Sequence, residues 1–269
     1  MAPADLSRVG RRFSLEGRTA LVTGGAMSMG RAIAIGLAEA GADVAIQTAP
    51  AADAALNLGD AAEKTRAAIV ALSRRCPVIA ADFVEPGAAA RAVKEAEAAL
   101  GHIDILVVCA SIQVRQPLAA IGTTDIDRQV AINFSSTIEL LQAAVPAMAQ
   151  RGWGRVLSIG SVNETRPDPE LAVYAALKTA QHNLIINLAR QYADRGVLLN
   201  TIAPGLVATE RNRWRRQDLD DWARIQHGIN PMHRAAEPEE IVGAALLLCS
   251  DAASFITGAN LEMTGGGHL

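Results

Sequence analysis

Seven short, mostly apolar runs punctuate the chain, at 19–23, 44–47, 77–81, 105–109, 155–159, 197–202 and 260–263. Each is bounded by glycine, proline or polar residues and is too short for a stable helix, so each reads as a strand. The first, Thr19-Ala20-Leu21-Val22-Thr23, lacks a polar alternate position and reads as buried on both faces. Longer alanine- and leucine-rich stretches lie between the runs. They predict helices over 31–40, within 51–75, over 87–100, over 125–150 and from about Tyr174 to Gly196. Another helix starts at Glu237-Pro238-Glu239-Glu240, with acids in its first turn. Strand and helix alternating in this way predict an α/β fold. It is a Rossmann-like, doubly wound parallel sheet of about seven strands with helices on both faces. No repeat or low-complexity linker divides the chain, so 1–269 reads as one domain, with 1–15 a loose lead-in. Residues 209–228, inside the 206–230 connection, break the pattern and predict a small helical lid.

Composition narrows the picture. Half the residues are hydrophobic but only 3% are aromatic, so aliphatic side chains must fill the core. A net charge of -3 argues against nucleic acid or an anionic membrane as a partner. Cys76, Cys109 and Cys249 are odd in number and lack metal-ligand spacing, and the five histidines are scattered. Reduced thiols and no metal site are the expectation. Arg8, Arg11 and Arg12 are not followed by a signal-like apolar stretch, and the longest apolar run, 241–249, cannot span a bilayer. A soluble cytoplasmic protein is expected.

The first strand runs into Gly24-Gly25-Ala26-Met27-Ser28-Met29-Gly30 and then a helix. That order suits a diphosphate, because glycines allow close backbone approach and a helix N-terminus offers unpaired N–H groups. The second strand ends Gln47-Thr48-Ala49-Pro50, with neither the acid that grips a ribose nor the arginine that attracts a 2′-phosphate. The cofactor is therefore NADP or NAD, tilted towards NADP because no acid repels the phosphate. Asp82 could accept from an adenine amino group; equally, it could cap the helix that begins near Pro86.

Tyr174 and Lys178 are four apart on a predicted helix, so their side chains leave the same face. An ammonium beside a phenol favours the phenolate, which fits the phenol to exchange a proton with a carbonyl or alcohol oxygen. Ser161, delivered by the end of the fifth strand, could hold the same oxygen. Asn133 interrupts an apolar helical run, either as a structural hydrogen-bonding group or to kink the helix and hold a water near Lys178. The lid carries Arg211, Arg213, Arg215 and Arg216. These make either a solvated face or, with some turned inward, a site for an anionic or polyhydroxylated substrate. Asn163, Glu164 and Arg166 follow Ser161 where substrate could touch them.

With these pieces in order, residues 15–267 resemble the short-chain dehydrogenase/reductase family in its single-domain form. Asn133 precedes Ser161 by 28 residues and Ser161 precedes Tyr174 by 13, followed by Lys178 and Pro204-Gly205, in family order. The resemblance implies an NAD(P)-dependent alcohol dehydrogenase or carbonyl reductase, usually a homotetramer. It makes Tyr174 the general acid/base, with Lys178, Ser161 and Asn133 completing the catalytic set. It places Thr23, Gly24, Ser28, Met29, Gly30, Thr48, Asp82, Phe83, Cys109, Ala110, Pro204, Gly205, Val207 and Thr209 along the cofactor, with Tyr174 and Lys178 touching it too. Asn163, Arg166, Arg211 and Arg213 are the candidate substrate contacts, for a sugar-, polyol- or sugar-acid-like small molecule. Two departures stand out. Ser28 replaces a glycine, which is harmless if its φ is negative, and Cys109-Ala110-Ser111 replaces Asn-Ala-Gly, losing an amide at the sheet centre. The alternative is a non-catalytic nucleotide sensor or scaffold. A cofactor-independent lyase or dehalogenase would be expected to have lost the glycine loop or Lys178.

Overall fold

The computed structural model describes residues 7–269; the first part of the expected lead-in, residues 1–6, lies outside the described residues. One parallel sheet organises them, built from β1 (Thr19–Thr23), β2 (Asp43–Thr48), β3 (Val78–Ala80), β4 (Ile105–Val108), β5 (Gly154–Ile159), β6 (Val197–Pro204) and β7 (Asn260–Met263). Their order is β3-β2-β1-β4-β5-β6-β7. The strand order reverses beside β1, between β1 and β4, the place where such sheets open a crevice at the carboxyl ends of their strands. Every strand expected from the apolar pattern is present, with ends shifted by no more than two residues.

Alternate residues of the central strands feed two cores. Leu21, Leu106 and Val108 point to one, with Ala92, Leu140 and Ile185 from α5 (Ala88–Leu100), α7 (Ser136–Arg151) and α8 (Ala172–Tyr192). Ala20, Val22, Ile105 and Val107 point to the other, with Ile33 and Leu248 from α2 (Ser28–Glu39) and α10 (Val242–Cys249). Burial on both faces explains why these strands read as continuous apolar runs.

Three segments depart from the expected outline. The lead-in contains a short exposed helix, α1 (Ser7–Phe13), before Leu15 docks into the core and donates its N–H to the Ala40 carbonyl at 2.8 Å. The 51–75 region holds two helices, α3 (Pro50–Ala55) and α4 (Ala61–Ala71). The long 125–150 helix is α6 (Thr123–Val130) joined to α7 through a π-helical turn at Ala131–Ser135, centred on Asn133. The 209–228 excursion is a 3-10 segment, Glu210–Arg216, then α9 (Leu219–Ile229). Its neck is closed where Ala208 donates to Ala236 O at 2.8 Å and Ala236 donates to Leu206 O at 2.9 Å.

Side chains stitch the crevice end of the sheet. The Thr23 hydroxyl accepts from the N–H groups of Cys109 and Ala110 at 2.9 and 3.0 Å and donates to Val107 O at 3.2 Å. Gln47 accepts from Gly24 N–H at 2.9 Å and donates to Ala81 O at 2.6 Å. The amide expected to be lost with Cys109 is thus offset by two neighbouring side chains. Thr23→Val should strand two amide N–H groups and lower stability by about 2 kcal/mol, measured by urea unfolding.

Candidate active site

The crevice end of the sheet collects most of the expected residues. Tyr174 and Lys178 lie on one face of α8 within its first two turns, and Ser161 follows β5. A cleft of about 510 Å³ is lined by Ser161, Tyr174, Pro204, Gly205, Val207, Thr209 and Met29, with Asn163, Arg166 and Arg211. Arg213 is not part of it. Its side chain is 70% exposed and lies 3.9 Å from Glu210, because the 3-10 turn directs Arg211 and Arg215 inward instead.

Lys178 is the most constrained group. It is 2% exposed, and its Nζ donates to Ile159 O at 2.7 Å and to Gln181 Oε1 at 2.9 Å. The ammonium sits 5.9 Å from the Tyr174 ring centroid. Burial pulls its pKa down, while the negative forms of Tyr174, Cys109 and Glu164 oppose that shift. Gln181 was missed from the sequence, although it lies one turn beyond Lys178 on the same helix face.

Ser161 is held by its own loop. Its Oγ accepts from Asn163 N–H at 3.2 Å and from Asn163 Nδ2 at 3.1 Å, leaving the hydroxyl proton to donate elsewhere. Its N–H donates to Glu164 Oε1 at 2.8 Å, completing a capping box. The Ser-x-x-Glu spacing could have revealed this. Glu164 therefore turns beneath Ser161 and does not line the cleft, contrary to its expected exposure to substrate. Gly160 makes room, since a Cβ there would stand 2.1 Å from Glu164 Oε1. The Asn163 amide is similarly spent on the loop, with Oδ1 accepting from Asp168 N–H at 2.8 Å.

Asn133 is buried and faces the loop after β4. Its Oδ1 accepts from Ile112 N–H at 2.9 Å and its Nδ2 donates to Ile112 O at 2.8 Å. One amide N–H and the carbonyl oxygen are thus spent on holding that loop, the second N–H keeps its capacity to donate, and the helix is kinked here by the π-helical turn.

The glycine loop fits a diphosphate. Gly24 has φ +62, and a Cβ there would press on the Ala110 backbone at 3.1 Å. Gly30 packs so tightly that a Cβ would fall 2.1 Å from Gly24 O. No side chain caps the start of α2 and no acid lies in its first turn, so its N–H groups and dipole face outward unopposed. Ser28 has φ +49, so the condition set for its harmlessness is not met. Its hydroxyl accepts from Glu210 N–H at 3.2 Å, tying the loop to the 209–228 excursion.

The remaining expected cofactor residues do not line the 510 Å³ cleft. Thr23 is fully buried in the sheet stitch, and the Phe83 side chain belongs to the core. Asp82 Oδ1 accepts from Val84 N–H at 3.0 Å, capping a turn; α5 starts later, after Gly87. Burial pushes the Cys109 thiol up to about 11, which leaves it protonated at neutral pH. The Thr48 hydroxyl bonds the carboxylate of Asp53, so an acid does stand at the end of β2, supplied by α3. Among the described residues no group of three His, Cys, Asp or Glu could hold a metal, and no helix is long and apolar enough to cross a membrane.

Known proteins resemble this chain over nearly its whole length. A family model described as "Enoyl-(Acyl carrier protein) reductase" matches residues 24–268. A crystal structure of a 3-oxoacyl (acyl-carrier-protein) reductase from Agrobacterium tumefaciens C58, with NADP bound, is 46% identical. It covers 96% of this chain and 97% of its own, with a TM-score of 0.89. The 2-dehydro-3-deoxy-D-gluconate 5-dehydrogenase of Pseudoalteromonas atlantica is 35% identical, over 95% of this chain and 97% of its own. The acetoacetyl-CoA reductase of Allochromatium vinosum is 34% identical, over 93% and 98%.

Glu164 gives the site a pH signature. Burial raises its carboxyl from the ordinary 4.5 to about 7, with Glu262 adding to the rise and the Ser161 N–H and Lys178 opposing it. The folded protein holds this proton more tightly than the unfolded chain does. Its stabilising contribution is therefore complete below pH 4.5 and is lost as pH rises through about 7. Glu164→Gln, which keeps an acceptor for Ser161, should flatten the fall in Tm across that window; thermal unfolding from pH 4 to 9 checks this.

Proposed function

The chain belongs to the short-chain dehydrogenase/reductase family, and we propose that it transfers a hydride between NADP and the CH–OH or C=O carbon of a small hydroxylated molecule. The observation that carries the reading is the convergence of Tyr174 and Ser161 in one cleft, with Lys178 buried behind Tyr174. When bound, NADP supplies the hydride acceptor or, reduced, the donor. Tyr174 exchanges the proton with the substrate oxygen. Ser161, whose Oγ already accepts from Asn163, donates its hydroxyl hydrogen to that oxygen and fixes its position. Lys178 favours the phenolate electrostatically. Asn133 acts by holding the loop after β4 and by shaping the π-helical turn beside α8.

The uncapped start of α2 and the Gly24–Gly30 loop would hold the diphosphate. Met29, Pro204, Gly205, Val207 and Thr209 would line the nicotinamide end, and Thr48, Asp82, Phe83, Cys109 and Ala110 would border the adenosine end. The NADP-bound relative supports NADP as cofactor. The 206–230 connection would serve as a lid over a single catalytic domain. For the substrate we infer a sugar, polyol or sugar acid, as the gluconate-type relative suggests. The enzyme would act in the cytoplasm, as a homotetramer, and as a reductase of carbonyls as well as a dehydrogenase. A non-catalytic sensor would have no use for a buried lysine beside a cleft tyrosine.

Tyr174→Phe should lower kcat at least about 100-fold while NADPH still binds; Lys178→Ala should weaken both. Turnover of polyols, aldoses and sugar acids, followed at the nicotinamide absorbance, together with NADPH titration, tests this. Full activity in Tyr174→Phe would refute the mechanism. Asp53 is a carboxylate that a 2′-phosphate would have to approach. Asp53→Asn should therefore shift the ratio of kcat/KM for NADPH over NADH upward by about tenfold, read from paired coenzyme kinetics.

A further inference from the structure

The cleft carries more positive charge than its own carboxylates balance. Arg115, Arg166, Arg211 and Arg215 line it, and Asp168 is the sole lining carboxylate among the described residues. Asp168 is already claimed: Arg115 meets it at 2.7 Å and Glu170 at 2.8 Å, so Arg115 braces the loop and brings no free charge. Among the described residues no carboxylate forms an ion pair with Arg166 or Arg211, while, against the upward push of burial, Arg215 adds to the positive field that holds the Asp168 carboxyl low. Arg166 donates from Nη1 to Gly267 O at 2.7 Å and Arg211 from Nη2 to Ser111 O at 2.6 Å. Each guanidinium is thereby fixed through one nitrogen while its other donors stay uncommitted. The surrounding wall includes Pro167, Leu171, Leu206 and Val207, whose low polarity strengthens the field of unpaired cations in a cleft.

We propose that the substrate is a small hydroxy acid, or the matching oxo acid, whose carboxylate is held by Arg166 and Arg211 while its reacting carbon faces Tyr174 and Ser161. The proposal rests on the hydride-transfer reading above and deepens it. A carboxylate accepts the planar fork of an arginine through two parallel hydrogen bonds, which a neutral sugar cannot match. Anchoring one end of the molecule selects which hydroxyl reaches the tyrosine.

The test uses the full-length protein loaded with NADP⁺. Calorimetric titration compares C4–C6 aldonates, gluconate among them, with their uncharged amides, and turnover is followed in parallel. At least one aldonate should bind tenfold or more tighter than its amide, and Arg166→Gln and Arg211→Gln should each erase most of that advantage. NADPH affinity should change little in either variant. Equal binding of acid and amide throughout would overturn the proposal. So would a loss in the variants confined to NADPH affinity, which would assign the arginines to the cofactor. 3-Hydroxybutyryl-CoA turned over in preference to every aldonate would overturn it too, as the phosphates of its coenzyme A moiety would then be the anion. Oxidation of neutral polyols as efficiently as acids, still abolished by Tyr174→Phe, would leave the hydride reading standing and remove this one. Arginine-dependent acid binding without turnover would do the reverse.

Discussion

A buried ammonium constrains this site more than any other single group. Lys178 has 2% of its surface exposed, so its charge must be met by protein atoms. Ile159 supplies the carbonyl at the end of β5, and Gln181 supplies a second oxygen from the next turn of α8. The bond to Ile159 locks the helix bearing Tyr174 to the strand that delivers Ser161. Glu164 lies under the same strand end, bonded to Ser161 N–H, and in its ionised form partly offsets the ammonium. Gly160 is required because that carboxylate occupies the space a side chain would need. Six residues far apart in role thus answer to one charge.

The cofactor end depends on close approach instead. Glycine at 24 lets the loop lie against the Ala110 backbone, and glycine at 30 lets α2 begin directly on the loop. Thr23 and Gln47 then bind the ends of β1, β2 and β4 and the turn after β3 into one rim. Ser28 holds a left-handed conformation in this rim, a modest cost for a residue with a short polar side chain, and its hydroxyl meets the excursion after β6. A rim assembled from backbone and small side chains leaves room for a flat, extended nucleotide.

The central strands β1 and β4 were legible because burial on both faces favours a continuous apolar run, while the partly exposed edge strands β3 and β7 were legible from their short length and flanking turn residues. Tyr174, Lys178 and Ser161 were legible because their spacing is local to one helix and one strand end. What escaped was mostly non-local. Nothing in the order Gln47-Thr48-Ala49-Pro50 announces that Asp53 folds back onto Thr48 through α3. The positive φ of Ser28 is set by how α2 packs on the loop, so its identity alone could not reveal it. Arg213 and Arg215 are indistinguishable by composition, and only the 3-10 geometry of Glu210–Arg216 decides which one faces inward. Glu164 and Gln181 are different, because their offsets of three from Ser161 and Lys178 carried a local signal that catalysis-minded reading passed over.

The charges of the cleft also bear on one another. Arg211 is a like-charged neighbour of Lys178 and helps to drive its pKa down, in the same direction as burial. An anion arriving on Arg211 would screen that repulsion and favour the charged ammonium, the form that stabilises the Tyr174 phenolate. Binding of an acidic substrate would then prepare the proton acceptor as well as position the molecule. A neutral substrate would occupy the cleft without that effect. Arg211, on this argument, couples recognition to chemistry through charge alone, with no movement of the backbone required.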